Sequence, residues 1–184
     1  MNVISTSLDP VKIVEPQMFK DERGAFLETY QQKRYKEAGI DIEFVQDNVS
    51  FSSQGTLRGL HYQFPHMQAK LVQVLKGEVF DVAVDIRKGS PTFGEWVGAL
   101  LSQENGRQLF IPEGFAHGFY VVSESALFMY KCSDFYAPDC EGGVLWSDSE
   151  IGIDWPSQEP LLSSKDKNYP PLKEIAPERL PEYP

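Results

Sequence analysis

The stretch from Lys70 to Lys131 constrains the fold most, because it is a series of short apolar runs separated by turn residues. The runs are rich in Val, Phe, Leu and Ile, and their spacing is typical of all-β domains. Six of them are predicted strands: Leu71–Leu75, Val79–Val84, Trp96–Leu101, Leu109–Ile111, Gly118–Val122 and Ala126–Cys132. The sequence therefore predicts a β-sandwich or barrel.

Two of these runs allow a more detailed prediction. Lys76-Gly77-Glu78 joins the first run to the second, and a short connection with a central glycine is suited to a β-hairpin. In the second run, alternate residues are all apolar: Phe80, Val82, Val84 and Ile86. Since alternate residues of a strand share one face, we expect this face to line the core.

The flanking segments differ from this centre. Gln31–Ala38 is a predicted helix, since it is charged and is followed by Gly39, a common residue at helix ends. Seven of the 13 prolines lie at or after Pro156, which indicates turns and extended pieces. Apolar residues in this tail favour its docking on the body: Trp155, Leu161, Leu162, Tyr169 and Ile175. We expect one domain over 1–184, with N-terminal strands and a short helix in 1–45 and the Pro-rich segment 155–184 packed on the body.

Composition and charge exclude several classes of protein. Hydrophobic residues make up 41% of the chain, enough for a folded core. A formal net charge of −10 opposes binding to nucleic acid or to an anionic membrane. No apolar run approaches the roughly 18 residues of a membrane span, and Met1–Pro10 lacks a secretory pattern, so we expect a cytoplasmic protein. Cys132 and Cys140 are too few for a disulfide framework and are expected to be free thiols.

Two of the three histidines lie in unusual segments. His61 ends Leu57-Arg58-Gly59-Leu60-His61, and His117 follows a proline and glycine turn and precedes an aromatic strand. Either could be a half-buried histidine bonded to a backbone carbonyl. A metal site is a second reading, but His61 and His66 are five residues apart, which would put them on opposite faces of a strand. The sequence therefore predicts no metal site.

These histidines belong to a longer set of motifs that resembles one family. The motifs occur in that family's order: Phe19–Glu28, Gln46–Ser50, Arg58–His61, Asp85–Arg87 with Ser90–Gly94, Gly114–Phe119 and Glu141–Gly143. The chain resembles the dTDP-4-dehydrorhamnose 3,5-epimerases from about Val14 to Lys167. The resemblance implies an all-β, cupin-type jelly roll with a few short peripheral helices, a homodimer, and no metal or redox cofactor.

The resemblance also implies a reaction and its residues. The substrate would be dTDP-4-dehydro-6-deoxy-D-glucose, whose C4 ketone acidifies the hydrogens on C3 and C5. His61 matches the family's base, Asp166 the carboxylate that orients it, and Tyr130 the acid on the opposite face. Lys70 matches the cation at the enolate oxygen, and His117 a second polar contact there. Taken alone, Asp166 and Lys70 would pass for surface charges and Tyr130 for a structural strand residue.

Binding residues transfer in the same way. The resemblance assigns the diphosphate to Arg23, Arg58 and Lys165, the thymine to Tyr136, and polar contacts with nucleotide and sugar to Glu28, Gln46, Asp47, Asn48 and Glu141. An arginine fork suits phosphate oxygens, and a tyrosine ring suits a flat base. Converging cations would let an acidic protein bind a dianion.

Three other readings stay open at this stage. A relative with the same residues could epimerise only C3 or only C5 of a related dTDP-ketosugar. A jelly roll could bind a sugar nucleotide without catalysis, although binding alone has no need of an acid and a base. A cupin metalloenzyme is the third. The pathway, whether O-antigen, cell wall or secondary metabolite, is not predicted by the sequence.

Overall fold

The computed structural model describes residues 1–184 and is built almost entirely from antiparallel strands. The 13 strands are β1 (Asn2–Ser5), β2 (Lys12–Glu15), β3 (Met18–Asp21), β4 (Gly24–Leu27), β5 (Gln46–Ser53), β6 (Leu57–Gln63), β7 (Lys70–Lys76), β8 (Glu78–Asp85), β9 (Trp96–Ser102), β10 (Gln108–Ile111), β11 (Phe115–Val121), β12 (Ser125–Cys132) and β13 (Glu141–Gly143). Helix α1 spans Gln32–Glu37, where the sequence predicts a helix, and the side chain of Gln31 caps its first turn. Four 3₁₀ helices occupy Pro138–Cys140, Asp166–Asn168, Leu172–Glu174 and Pro177–Arg179.

The strands form two large sheets and one separate hairpin. One sheet has six strands in the order β1-β2-β10-β7-β12-β5, and the other has five in the order β13-β6-β11-β8-β9. Strands β3 and β4 pair only with each other. Apart from the consecutive pairs β1–β2 and β8–β9, neighbouring strands come from distant parts of the chain, which is the pattern of a jelly roll.

The hairpin predicted around Gly77 is wrong. Strand β7 pairs with β10 and β12, whereas β8 pairs with β9 and β11 in the other sheet. Gly77 has a φ of 83°, and a Cβ there would lie 2.1 Å from the carbonyl oxygen of Ser125. The glycine therefore permits a tight corner at which the chain leaves one sheet and enters the other.

The main core fills the space between the two sheets. It contains Val72 and Phe128 from the six-stranded sheet and Val79, Ala83 and Phe119 from the five-stranded sheet. These positions identify the inner face of each strand, because inward and outward side chains alternate. A residue an even number of positions from one of these along the same strand has the same inward parity, so its side chain also points between the sheets.

The wholly apolar face of β8 lies on the outside of this sandwich, and the expectation that it lines the central core is wrong. Val82, Val84 and Ile86 belong to a second core with Trp155 and Leu172 of the C-terminal segment. Ile175 and Leu180 are buried in the same cluster, whereas Leu161 is exposed. Both faces of β8 are buried, and its inner face includes a carboxylate, Asp81.

The outer face of the six-stranded sheet is covered in part by α1. Tyr35 and Ile40 pack there against Val14, Leu71 and Phe110. None of the helices has the length and apolar character needed to cross a lipid bilayer.

Candidate active site

Both sheets contribute polar side chains to one end of the space between them. His61 on β6 and His117 on β11 are directly opposite each other in the five-stranded sheet. His117 has the inward parity of Phe119, so His61 shares that inner face. Lys70 on β7 and Tyr130 on β12 have the inward parity of Val72 and Phe128 in the other sheet. The two sets therefore face each other.

His61 and Asp166 form a hydrogen-bonded pair. The Nε2 atom of His61 lies 2.6 Å from Oδ1 of Asp166, and their side chains are 32% and 5% exposed. A carboxylate only accepts hydrogen bonds, so it holds the proton of the neutral imidazole on Nε2. Nδ1 is then left with a free lone pair, which makes it the basic atom of the ring.

The C-terminal segment brings Asp166 to this position. Its first 3₁₀ helix begins at Asp166, whose backbone N–H donates to the hydroxyl of Ser163. Burial alone would raise the pKa of Asp166, but the hydrogen bond and charge of His61 outweigh it, and the pKa is lowered. The carboxylate is therefore ionised and can stabilise a protonated imidazole.

Lys70 carries a buried ammonium group. Its residue is 9% exposed, and Asp81 and Glu141 act on it only through space. Burial lowers the pKa of Lys70 more than these carboxylates raise it. An ammonium that is poorly compensated in the free protein gains most when an anion forms beside it.

His117 is paired with a residue that the sequence reasoning missed. Its Nε2 lies 3.0 Å from Oδ2 of Asp81, and both side chains are almost fully buried. Burial lowers the pKa of His117 and raises that of Asp81, and their mutual attraction opposes both changes. Asp81 is a carboxylate among the apolar residues of β8, and this feature of the sequence could have indicated a buried pair.

Tyr130 faces the histidines from the six-stranded sheet. Burial raises the pKa of its phenol, so the hydroxyl keeps its proton at neutral pH. Asn48 lies directly opposite Tyr130 on β5 and shares its inner face. A proton donor and a proton acceptor thus stand on opposed walls of the site.

A hydrogen-bonded network forms one side of the site. Glu141 accepts from the hydroxyl of Tyr136 at 2.8 Å and from the ammonium of Lys165. The Gln46 side chain donates to Asn48 at 3.1 Å and accepts from the Tyr136 backbone at 2.9 Å. Five predicted binding residues are therefore connected to one another by hydrogen bonds.

Arg58 lies on β6, and its Nε donates to the hydroxyl of Ser52 at 3.1 Å. Ser50 has the inward parity of Ser52 on β5, and its hydroxyl is buried without a hydrogen-bond partner. A buried unpaired hydroxyl is uncommon in folded proteins. Both serines belong to the polar inner row of β5 and were missed from sequence.

Three predicted site residues lie away from this group. Asp47 points to the outer face of β5 and pairs there with Lys131 at 2.9 Å, because neighbouring strand residues face opposite ways. Arg23 is 90% exposed and bonded to Asp21 in the β3–β4 hairpin. Glu28 follows that hairpin and pairs with Arg34 at 3.0 Å. One chain does not bring these three residues to His61.

The structure contains no group of three or more His, Cys, Asp or Glu side chains placed to hold a metal ion. His66 lies beyond the end of β6 and is 3.2 Å from Asp134, so it does not join His61. Cys132 and Cys140 are free thiols.

Two facing antiparallel sheets with polar residues gathered between them at one end define a cupin-type jelly roll. A sequence profile described as dTDP-4-dehydrorhamnose 3,5-epimerase matches residues 5–174. The dTDP-4-dehydrorhamnose 3,5-epimerase of Shigella flexneri is 61% identical over 170 residues, which cover 91% of this chain and 94% of that protein. The chain belongs to the dTDP-4-dehydrorhamnose 3,5-epimerase family.

Solved structures agree with this assignment. The dTDP-6-deoxy-D-glucose-3,5-epimerase of Legionella pneumophila, in complex with dTDP-4-keto-L-rhamnose, is similar with a TM-score of 0.97 at 56% identity, over 100% of this chain and 98% of that chain. The Bacillus anthracis dTDP-4-dehydrorhamnose 3,5-epimerase, with TDP and PPi bound, has a TM-score of 0.90 at 48% identity, over 92% and 98%.

Proposed function

We propose that this protein is an isomerase that converts dTDP-4-dehydro-6-deoxy-D-glucose to dTDP-4-dehydro-L-rhamnose by inverting C3 and C5. One observation carries the proposal. His61 on one sheet, paired with Asp166 of the C-terminal segment, faces Tyr130 and Lys70 on the other sheet at one end of the jelly roll. Inversion of a carbon next to a ketone needs a base on one face, an acid on the other and a cation for the enolate.

The first step is removal of a proton from C3 or C5. The free lone pair on Nδ1 of His61 accepts it, and the electrons of the C–H bond move into an enolate ending at O4. His61 then carries a positive charge, which the ionised Asp166 at 2.6 Å stabilises. Asp166 keeps its own charge throughout.

The enolate oxygen develops negative charge that must be stabilised. The ammonium of Lys70 supplies this, because it is buried and has no hydrogen-bonded carboxylate of its own. Burial disfavours the charged forms of both Asp81 and His117. With the pair's proton on Asp81, Nε2 of His117 accepts a hydrogen bond from the carboxyl group, and Nδ1–H is free to donate the second contact at O4. A donor of this kind is worth roughly 10²–10³ in rate.

Reprotonation comes from the opposite side. Tyr130 is protonated at neutral pH because burial raises the pKa of its phenol, and it lies on the sheet that faces His61. Transfer of its proton to the face away from His61 gives the inverted carbon. The phenolate is then reprotonated from solvent, and His61 releases its proton in turn.

The remaining polar residues would bind the nucleotide. Lys165 and Arg58 would meet the diphosphate, and the exposed ring of Tyr136 would stack on thymine. Lys165 and Tyr136 are both bonded to Glu141, which holds the two side chains on the same side of the site. The protein's net charge of −10 makes such local cations necessary.

We further propose that the protein is a homodimer. The β3–β4 hairpin pairs with neither large sheet and exposes Phe26 by 70%. Strand β5 is an uncovered edge of the six-stranded sheet and exposes Phe51 by 67%. Uncovered edges and exposed aromatic residues are usually protected by pairing. A second copy would cover both and could bring Arg23 and Glu28 of the hairpin to its partner's site.

Light scattering tests the dimer directly. We expect twice the 20.9 kDa of one chain at micromolar concentration, and Phe26→Asp should shift the population toward monomer. Phe93→Asp replaces an exposed phenylalanine outside the hairpin and serves as the control. A sharp monomer in the wild-type protein would contradict the proposal.

Proton NMR in D₂O with the 4-ketosugar nucleotide tests the reaction. Solvent deuterium should enter both C3 and C5, and dTDP-4-dehydro-L-rhamnose should accumulate. Exchange at only one carbon would identify a single-site epimerase, and saturable binding without exchange would identify a non-catalytic binding protein. Either result overturns the proposal.

A further inference from the structure

Tyr169 contacts the catalytic histidine, and neither the sequence motifs nor the mechanism above uses it. Its ring centroid is 5.8 Å from that of His61, with an interplanar angle of 69°, an edge-to-face contact. It immediately follows the 3₁₀ helix Asp166–Asn168, which begins with the carboxylate partner of His61. One short piece of chain therefore holds the imidazole at its Nε2 atom and along one side of its ring.

The strand beside His61 is shaped to admit this ring. Gly143 on β13 is the direct pairing partner of His61 on β6. A Cβ at Gly143 would lie 2.4 Å from two ring carbons of Tyr169, and its three nearest neighbours would all be atoms of that ring. The ring thus packs on the backbone of Gly143, where any larger residue would displace it.

The Tyr169 hydroxyl does not explain this placement. The Oη atom is buried next to the Lys165–Glu141 ion pair, but no donor or acceptor, the Lys165 ammonium included, has hydrogen-bonding geometry to it. Burial is the main reason that the pKa of Tyr169 is raised to about 12, so the phenol is neutral when the enzyme works. The aromatic ring, rather than the hydroxyl, is therefore the part that contacts the machinery.

We propose that Tyr169 is a positioning residue for the base: its ring, seated on Gly143, fixes the His61 imidazole so that Nε2 meets Asp166 and Nδ1 faces the substrate. The proposal rests on the proposed function, in which His61 removes the proton. Without the ring, the imidazole could rotate about its Cβ–Cγ bond and sample orientations in which Nδ1 no longer faces the carbon acid. A misplacement of about 1 Å costs on the order of 10²-fold in rate.

Three variants test the ring. Tyr169→Ala should lower the rate of deuterium exchange by roughly 10- to 100-fold while KM changes less than about threefold, since the diphosphate contacts are intact. Tyr169→Phe should restore the rate to within about threefold, because only an unbonded hydroxyl is lost. Tyr183→Ala is the control, a tyrosine of the same tail that packs on Arg87 and does not touch His61. A Tyr183→Ala protein with the same loss would overturn the proposal by pointing to general loosening of the tail.

Gly143→Ala gives an independent perturbation. Its methyl group should push the Tyr169 ring away and slow exchange in the same way. In a Tyr169→Ala background the same methyl group loses its three nearest clashes, so Gly143→Ala should then cost much less. Equal costs in both backgrounds would overturn the role assigned to the ring.

¹⁵N NMR of the histidine side chains separates this proposal from the catalytic one. The wild-type protein should show His61 protonated at Nε2 in its neutral form, and Tyr169→Ala should show a mixture of tautomers. His61→Asn identifies the signal among the three histidines. An unchanged tautomer in Tyr169→Ala would refute the positioning role, whereas a wild-type protein that exchanges neither carbon would refute the proposed function.

Discussion

Replacing Lys70 with methionine should stabilise the protein and nearly abolish its activity. Lys70 is 9% exposed, and its charged form is opposed by burial more than Asp81 and Glu141 favour it. Methionine is also unbranched, so it can fill the same space without an ammonium group. The site therefore holds a charge that disfavours folding and that becomes useful only when the enolate forms.

The size of both effects follows from this environment. Burying one charge costs several kcal/mol even after the protein relaxes, and we expect its removal to gain about 2 kcal/mol here because the nearby carboxylates offset part of that cost. For a chain of 184 residues this corresponds to a rise in Tm of about 4–8 °C. Loss of the oxyanion contact should lower the exchange rate by roughly 10²–10³.

The stability gain should depend on pH in one direction. Burial lowers the folded-state pKa of Lys70 below its ordinary value of 10.5, so the folded protein releases this proton before the unfolded chain does. The charge thus destabilises wild type fully below the folded pKa, and this cost disappears as pH rises toward 10.5. Denaturant unfolding should show the largest advantage of Lys70→Met near neutral pH and a smaller one near pH 10.

Lys131→Met is the matched control for stability. Lys131 is also on a strand of the six-stranded sheet, but it is paired with Asp47 at 2.9 Å, so its loss should be neutral or slightly destabilising. If Lys70→Met is less stable than wild type at neutral pH, the ammonium is compensated in the folded protein. That result would refute a destabilising charge at Lys70.

Three further predictions concern the mechanism. Tyr130→Phe should still incorporate solvent deuterium while inverted product falls sharply, since the base is intact and the acid is lost; a parallel decline of both would rule out a separate acid. Asp166→Asn should slow exchange less than His61→Asn, and the double variant should be no slower than His61→Asn alone, because the carboxylate acts through the imidazole. Additive losses would contradict a dyad. Exhaustive chelation should leave turnover unchanged, because the enolate is assigned to Lys70 and His117, and activity lost with EDTA and restored by one metal would overturn that assignment.

Alternation and turn residues predicted where the strands lie but not which strands pair. The six runs from Leu71 to Cys132 all contain strands, yet β7 and β8 are neighbours in sequence and lie in different sheets. Nothing local distinguishes the corner at Gly77 from a hairpin turn, because either needs a glycine with positive φ. Strand pairing is decided by packing between residues that are far apart in the chain, and the residues next to a turn carry no signal of it.

The sequence likewise predicts some features of the site and not others. His61 and Asp166 are 105 residues apart, and only the family resemblance connected them before the structure placed them at 2.6 Å. The position of Asp47 could have been predicted, because its neighbours Gln46 and Asn48 alternate with it on β5. The pairing of Asp81 could also have been predicted, since a carboxylate in an apolar strand needs a buried partner. The role of Tyr169 could not have been predicted from the sequence, because its contact with His61 depends on how the C-terminal segment packs on the body.

Hydrogen exchange in D₂O by the His61→Asn variant tests whether His61 is the base. Asparagine keeps a polar side chain of similar size but cannot accept a proton at neutral pH. We predict that exchange at C3 and C5 stops, while affinity for the sugar nucleotide stays within about tenfold, since binding is assigned to Arg58, Lys165 and Tyr136. A His61→Asn protein that exchanges both hydrogens at a rate near that of wild type would show that His61 is not the base.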